Sequence, residues 1–133
     1  PWPFAVIAID LNGLKAINDE QGHAAGDAML RRALEVLATA VDAPACAARV
    51  GGDEFAVLLP GVDERGAAAI RDRIQSLVEL NNQFYSGQPL GLAMGIACCQ
   101  SGEAVESALH KADQAMYEEK KRYYHQQGLE RRR

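Results

Sequence analysis

Several things are scarce or missing in this sequence. Cysteine occurs only as Cys46, Cys98 and Cys99 in 133 residues, with no Cys-x-x-Cys pair. An odd, unpatterned set excludes a disulfide framework and a thiolate zinc site, and fits a reducing cytosol. No apolar run reaches the ~18 residues of a membrane span. The opening Pro1-Trp2-Pro3-Phe4 has no basic segment of the kind that starts a secretion signal. Basic charge is thin over most of the chain, because six of the 14 Lys/Arg but only one of the 18 Asp/Glu fall in residues 120–133. An acidic body lacks the basic stripe that nucleic acid demands, so nucleic acid is not an expected partner. The basic tail reads as a solvated helix end followed by a fraying terminus, favoured by the helix dipole. Gly-x-x-x-x-Gly-Lys-Ser/Thr and Gly-x-Gly-x-x-Gly are both missing, which excludes a Walker-type ATPase and a Rossmann domain. Internal repeats, linkers and low-complexity segments are also absent.

What remains is ordinary for a globular domain: 48% apolar and 24% charged residues, in a length suited to one hydrophobic core. Residues 4–9 are a continuous apolar run of strand formers, predicting a central strand buried on both faces and ending at Asp10. Residues 11–23, with Gly13 and Gly22, predict a loop with a short helix. Residues 24–41 predict a helix with Leu30, Ala33, Leu34, Leu37, Ala38 and Val41 inward and Arg31, Arg32 and Glu35 outward, closed by Pro44. Residues 46–50 and 55–59 are short apolar strands, and Gly51-Gly52-Asp53-Glu54 between them predicts a hairpin whose glycines supply unusual backbone angles. After Pro60-Gly61, a helix is expected over 63–80 with Ala67, Ile70, Ile74, Leu77 and Val78 on one face. A polar turn region follows over 81–89, then a strand over 90–99, on which Cys98 and Cys99 would face opposite ways. A last helix over 103–123 would turn Val105, Ala108, Leu109, Ala112 and Met116 inward. The order β-α-β-β-α-β-α is that of an α+β, ferredoxin-like split βαβ fold: an antiparallel sheet of four to five strands with flanking helices.

In such a sheet the first strand lies beside the hairpin, so Asp10 and the Asp53-Glu54 tip can meet at one edge. Converging carboxylates repel unless a cation lies between them. Hard oxygen ligands select Mg²⁺ or Mn²⁺, ions that also hold substrate phosphates and assist nucleotidyl transfer. An acidic turn in a solvated loop is the competing reading of the same pattern. The turn Leu11-Asn12-Gly13-Leu14-Lys15 can aim backbone N–H groups at phosphate. Asn18 and Asp27 offer the donor and acceptor edges that guanine requires, or alternatively helix caps; His23 reads as structural.

Three stretches together resemble the GGDEF diguanylate cyclase family. They are Asp10-Leu-Asn-Gly-Leu-Lys-Ala-Ile-Asn18-Asp-Glu-Gln-Gly-His23-Ala-Ala-Gly-Asp27, Arg49-Val-Gly-Gly-Asp53-Glu54-Phe55 and Ala112-Asp-Gln-Ala-Met-Tyr117-Glu-Glu-Lys120. The resemblance spans nearly the whole chain and implies one GGDEF domain over 1–133 that condenses two GTP into cyclic di-GMP and two pyrophosphates. It implies Mg²⁺ or Mn²⁺ held by Asp10, Asp53 and the Leu11 carbonyl, with Glu54 joining them or assisting deprotonation of the ribose 3′-hydroxyl. It further implies catalytic roles for Asp53, Glu54 and Lys15, guanine reading by Asn18 and Asp27, and phosphate binding by the backbone at Gly13 and Leu14 with Lys120. Gly51 and Gly52 would let the hairpin approach the nucleotide. Each domain would bind one GTP, making a homodimer the active species and other domains of a parent protein further partners. The location implied is cytoplasmic, with membrane anchorage of the parent left open.

Departures from the family pattern bear on these expectations. Tyr124 stands where the family often has an Arg that supports phosphate binding, with Lys121 or Arg122 as substitutes. Asp42 and Ala45 stand at the Arg and Asp of the usual Arg-x-x-Asp, so no product-inhibition site of that type is expected. Asn12 replaces the second acid of the usual Asp-x-Asp. The family's N-terminal helix with Asp-x-Leu-Thr is not in this sequence, so the chain reads as a fragment of a larger regulated protein. The alternative activity is a weak or inactive GGDEF domain that binds GTP and regulates an adjoining phosphodiesterase or sensor module.

Overall fold

The computed structural model of the chain describes residues 2–85 and 87–127. The elements run β1 (Phe4–Leu11), α1 (Leu14–Gln21), α2 (His23–Ala40), β2 (Cys46–Gly51), β3 (Glu54–Pro60), α3 (Glu64–Phe84), β4 (Leu92–Cys99) and α4 (Val105–Gln127). One four-stranded sheet has the order β2-β3-β1-β4, and every neighbouring pair is antiparallel. This is the expected split βαβ arrangement, with β1 in the middle and buried from Ala5 to Leu11.

Strand alternation sorts the side chains to two faces. Ala5, Ile7, Ile9 and Leu11 of β1, with Phe55, Val57 and Leu59 of β3, pack under α1, α2 and α3. Val6 and Ala8, with Ala93, Ala97 and Cys99 of β4, pack under Ala108, Ala112 and Met116 of α4. Cys98 belongs to the first face and Cys99 to the second, as alternation requires. Gly95 lies on the α4 side, where an added Cβ would fall 2.1 Å from Met116 N and 2.3 Å from Ala112 O. Only glycine lets the helix backbone come this close to the strand.

Four local expectations need correction. On α2 the buried stripe is Met29, Leu30, Arg32, Ala33, Val36, Leu37 and Ala40; Leu34 is 42% exposed and Ala38 is exposed as well. Arg32 points inward because its guanidinium finds partners there. It donates to Asn81 Oδ1, Asn82 Oδ1 and the Gln88 carbonyl, each at 2.9 Å, and lies over the Tyr85 ring. Asn81 and Asn82 are in reach because α3 continues to Phe84, through the first part of the expected polar turn. Its start is set by Asp63, whose Oδ1 accepts from Gly66 N–H at 2.8 Å. Val105 is exposed, since the first turn of α4 precedes Ala108, where the helix reaches the sheet. Finally, neither Gly51 nor Gly52 has positive φ. The basic tail beyond Gln127 lies outside the described residues.

Candidate active site

The same alternation that builds the core delivers the acids. Asp10 is in phase with Val6 and Ala8, so it faces α4, and its register partner on β3 is Glu54. From α4, Lys120 continues the 3–4 spacing of Ala108, Ala112 and Met116 and is buried with them. Its Nζ donates to Asp10 Oδ2 at 2.7 Å and lies 3.8 Å from Asp53 Oδ2. Asp53 comes from the hairpin tip, whose carbonyl accepts from the Leu11 N–H at 3.4 Å. The tip is shaped by a bulge between Arg49 and Gly51 and by the Arg49 guanidinium, which donates to the Gly52 carbonyl. An added Cβ at Gly51 or Gly52 would meet nothing within 4 Å, so the backbone there is open to a ligand.

The electrostatics are those of crowded carboxylates. Burial pushes the Asp10 carboxyl up to about 6, against the pull of Lys120 and with a further push from Asp53. Glu54 is pushed up to about 7 by burial, then by the neighbouring Asp113 carboxyl of α4 and by the charges of Asp10 and Asp53. Asp10 Oδ1, Asn12 Oδ1 and Asp113 Oδ1 are buried without a hydrogen-bond partner. Among the described residues, no three His, Cys, Asp or Glu side chains are gathered to hold a metal by themselves. Two carboxylates and a backbone carbonyl suit Mg²⁺, which characteristically takes one or two protein carboxylates and completes its shell with phosphate and water. The orphaned Asp10 Oδ1 is the kind of acceptor such an ion would satisfy.

Beside the acids lies the turn into α1. Gly13 has φ 74°, a left-handed conformation that favours glycine, and α1 begins without a side-chain cap. The Gly13 N–H donates to the Tyr124 hydroxyl at 3.1 Å, one helical turn beyond Lys120 on the buried side of α4. The Asn12 N–H donates to the Gly91 carbonyl at 2.9 Å, tying the turn to the start of β4. Asn18 of α1 lies against α2 at Gly26, where an added Cβ would fall 1.8 Å from Asn18 Oδ1. Asp27, the next residue, is exposed. The structure therefore brings Asp10, Leu11, Asp53, Glu54 and Lys120 together, with Gly13 and Leu14 alongside, and sets Asn18 against Gly26, the residue before Asp27. Lys15 is turned elsewhere: it is exposed and its ammonium meets Asp19 Oδ2 at 3.3 Å.

Sequence reasoning assigned no role to Asp113, Tyr124, Gly26 or Gly95. A usable signal existed for the first two. The apolar stripe of α4, carried past Met116, runs directly into Lys120 and Tyr124, and Asp113 lies two turns before Lys120 on the same side.

Residues 2–126 match the family model described as the diguanylate cyclase, GGDEF domain. The chain belongs to the GGDEF family. It is 32% identical over 120 residues to diguanylate cyclase A of Treponema denticola, covering 88% of this chain and 32% of that protein. It is likewise 32% identical to diguanylate cyclase DgcP of Pseudomonas aeruginosa, covering 85% of this chain and 17% of that protein. The chain thus spans a third or less of the length of these curated relatives. Among solved structures, an EAL/GGDEF domain protein from M. capsulatus superposes with a TM-score of 0.78 at 34% identity, covering 90% of this chain and 79% of that one. The GGDEF domain of DgcB from Caulobacter crescentus, determined in complex with c-di-GMP, has a TM-score of 0.81 at 27% identity, covering 90% of this chain and 72% of that one. Among the described residues of this GGDEF domain, no helix is long and apolar enough to cross a membrane.

Proposed function

We propose that this GGDEF domain binds GTP at the edge formed by β1, the β2–β3 hairpin and the start of α1, and that two copies condense two GTP into cyclic di-GMP and two pyrophosphates. One observation carries the reading: Asp10 and Asp53, from separate elements, converge on one buried cation, the Lys120 ammonium. Asp10, Asp53 and the Leu11 carbonyl would hold Mg²⁺ or Mn²⁺, with Glu54 beside them. Such an ion, when bound, neutralises phosphate charge and eases deprotonation of a hydroxyl. Gly13 and Leu14, at the uncapped start of α1, would offer backbone N–H groups to the β- and γ-phosphates, joined by Lys120. Asn18 and Asp27 would read the guanine, with Gly26 making room for the Asn18 amide. The ribose 3′-hydroxyl on one copy would attack the α-phosphorus of the GTP on the other, forming the new O–P bond as the bond to pyrophosphate breaks. Glu54, at the same edge, would accept that proton. The remaining task is alignment of two bound substrates, so a lone copy would bind GTP without turnover.

The test incubates the protein at high concentration with GTP and Mg²⁺ or Mn²⁺ and resolves the products. Cyclic di-GMP is expected, and Asp53→Ala should abolish it. A second reading, a GTP-binding regulatory domain, is favoured by Tyr124, which stands at the family's Arg position and takes the Gly13 N–H. GTP binding without cyclic di-GMP at any protein concentration would select it.

A further inference from the structure

Lys120 has two roles that it cannot perform at once. As a phosphate ligand its ammonium must face the nucleotide. In the structure it is buried between acids instead, with 7% of its side chain exposed, 2.7 Å from Asp10 Oδ2 and 3.8 Å from Asp53 Oδ2. The placement is built into the fold. Lys120 follows Ala112 and Met116 on the stripe that α4 lays on the sheet, and Gly95 admits that helix to backbone contact. One turn on, the Tyr124 hydroxyl ties the same helix to Gly13. The backbone at Lys120 is held on both sides, so a change of partner must come from its flexible four-carbon stem. The surroundings need a cation. Asp10 and Asp53 converge on the one ammonium, and Asp10 Oδ1 is buried with no hydrogen-bond partner.

We propose that Lys120 is the resident cation of the metal-free site: its ammonium holds Asp10 and Asp53 together until a divalent ion takes that place, and only then turns to the triphosphate. The proposal rests on Asp10 and Asp53 being the metal ligands. Its consequence is coupling between metal and nucleotide. A divalent ion arriving alone must break a buried ion pair and leave an ammonium without a partner, which is costly. An ion arriving with GTP displaces the ammonium onto phosphate. Lys120 thereby disfavours metal without nucleotide and favours the two together, a reciprocal linkage.

The experiment measures Mn²⁺ binding by electron paramagnetic resonance of the free ion, with and without a non-hydrolysable GTP analogue. It compares the full chain with its Lys120→Met variant, which keeps the stem and removes the charge. For the unaltered chain, Mn²⁺ should bind weakly alone and about 10-fold or more tightly with the analogue. Lys120→Met should bind Mn²⁺ about 10-fold tighter than the unaltered chain without nucleotide, and lose most of the enhancement by the analogue. Equal or weaker metal binding by the variant alone, with nucleotide-dependent binding retained in both proteins, overturns the proposal and leaves the metal reading standing. No Mn²⁺ binding in either protein under either condition removes the metal reading and the proposal with it. Should the variant fail to fold, the unaltered chain carries the test through ¹⁵N-lysine spectra, with the Lys120 signal assigned by Lys120→Arg. The buried ammonium should give a slowly exchanging Nζ signal that shifts or vanishes as Mg²⁺ and the analogue are added. A signal unmoved at saturation overturns the proposal.

Discussion

The two faces of the sheet are built differently. Under α2 and α3 the contacts come from large side chains: Ile7, Ile9, Leu11, Phe55, Val57 and Leu59 meet Leu37, Ile74 and Val78. Under α4 they come mostly from small ones, Ala8, Ala93, Ala97, Ala108 and Ala112, with Gly95 in backbone contact. Hydrophobic stabilisation follows the apolar area removed from water, so the first face supplies most of it. The second face supplies position. Small residues leave few ways to repack, and the helix they fix carries Lys120 and Asp113 to the edge where Asp10 and Glu54 point the same way. Stability and site geometry thus reside on opposite sides of one sheet, joined through β1.

The largest expected effect breaks the α4 face. Gly95→Val would drive side-chain atoms into the α4 backbone, which cannot yield as a side chain can. We expect a loss of about 4 kcal/mol, the upper end for overpacking, in urea denaturation, together with loss of nucleotide binding in titrations with a fluorescent GTP analogue. Next comes a cut of similar depth on the other face. Ile7→Ala should cost about 3 kcal/mol through lost burial and a cavity, yet leave the nucleotide affinity of the folded fraction unchanged. A changed affinity for Ile7→Ala would erase the proposed division between the faces. Smaller still is Gly26→Ala, between α1 and α2. It should cost about 1 kcal/mol in stability by crowding Asn18, but weaken the GTP analogue about 10-fold, equivalent to one lost polar contact. An equal loss for the analogous ATP compound would show that Asn18 does not discriminate the base.

The contrast between the faces also accounts for what the sequence revealed. Strand periodicity and element order carried the fold, because β1 reads as apolar throughout and the hairpin is bounded by recognisable strands. The acids at 10, 53 and 54 were legible for the same reason: a strand end and a hairpin tip fall at one edge in a split βαβ sheet. The helices were read less well. Arg32 reads as outward because charge is usually solvated, and the Asn81, Asn82 and Gln88 oxygens that accept its hydrogen bonds come from far along the chain. The α4 stripe marks the side on which Asp113 and Tyr124 lie, but it does not encode their partners on β3 and in the turn after β1. Gly26 and Gly95 are silent in sequence because their importance lies in what a missing Cβ admits.

The smallest effect is a pH dependence confined to the α4 face. Asp10 and Glu54 rise from their ordinary 3.8 and 4.5 to about 6 and about 7 in the folded chain. A carboxyl raised by folding contributes its full stability only below its unfolded value and loses that contribution as pH climbs through the folded value. Solvent screening at this open edge cuts the contribution well below ~1.4 kcal/mol per tenfold change in proton affinity. The metal-free chain should therefore lose about 1 kcal/mol between about pH 4 and about pH 7, seen in denaturation with EDTA present. Burial sets the sign for both acids, and the groups facing them adjust it. Asp53 from the hairpin and Asp113 from α4 push the pKa values up, and Lys120 pulls Asp10 down. Glu54→Gln should flatten the upper part of the curve, whereas Ile7→Ala should lower the whole curve without changing its slope, since neither acid lies on its face. A flat curve for Glu54→Gln would mean that Lys120 dominates, holding Asp10 ionised at every pH in that range. The α4 face would then be a closed ion pair, with no unrelieved acid crowding for a divalent ion to relieve.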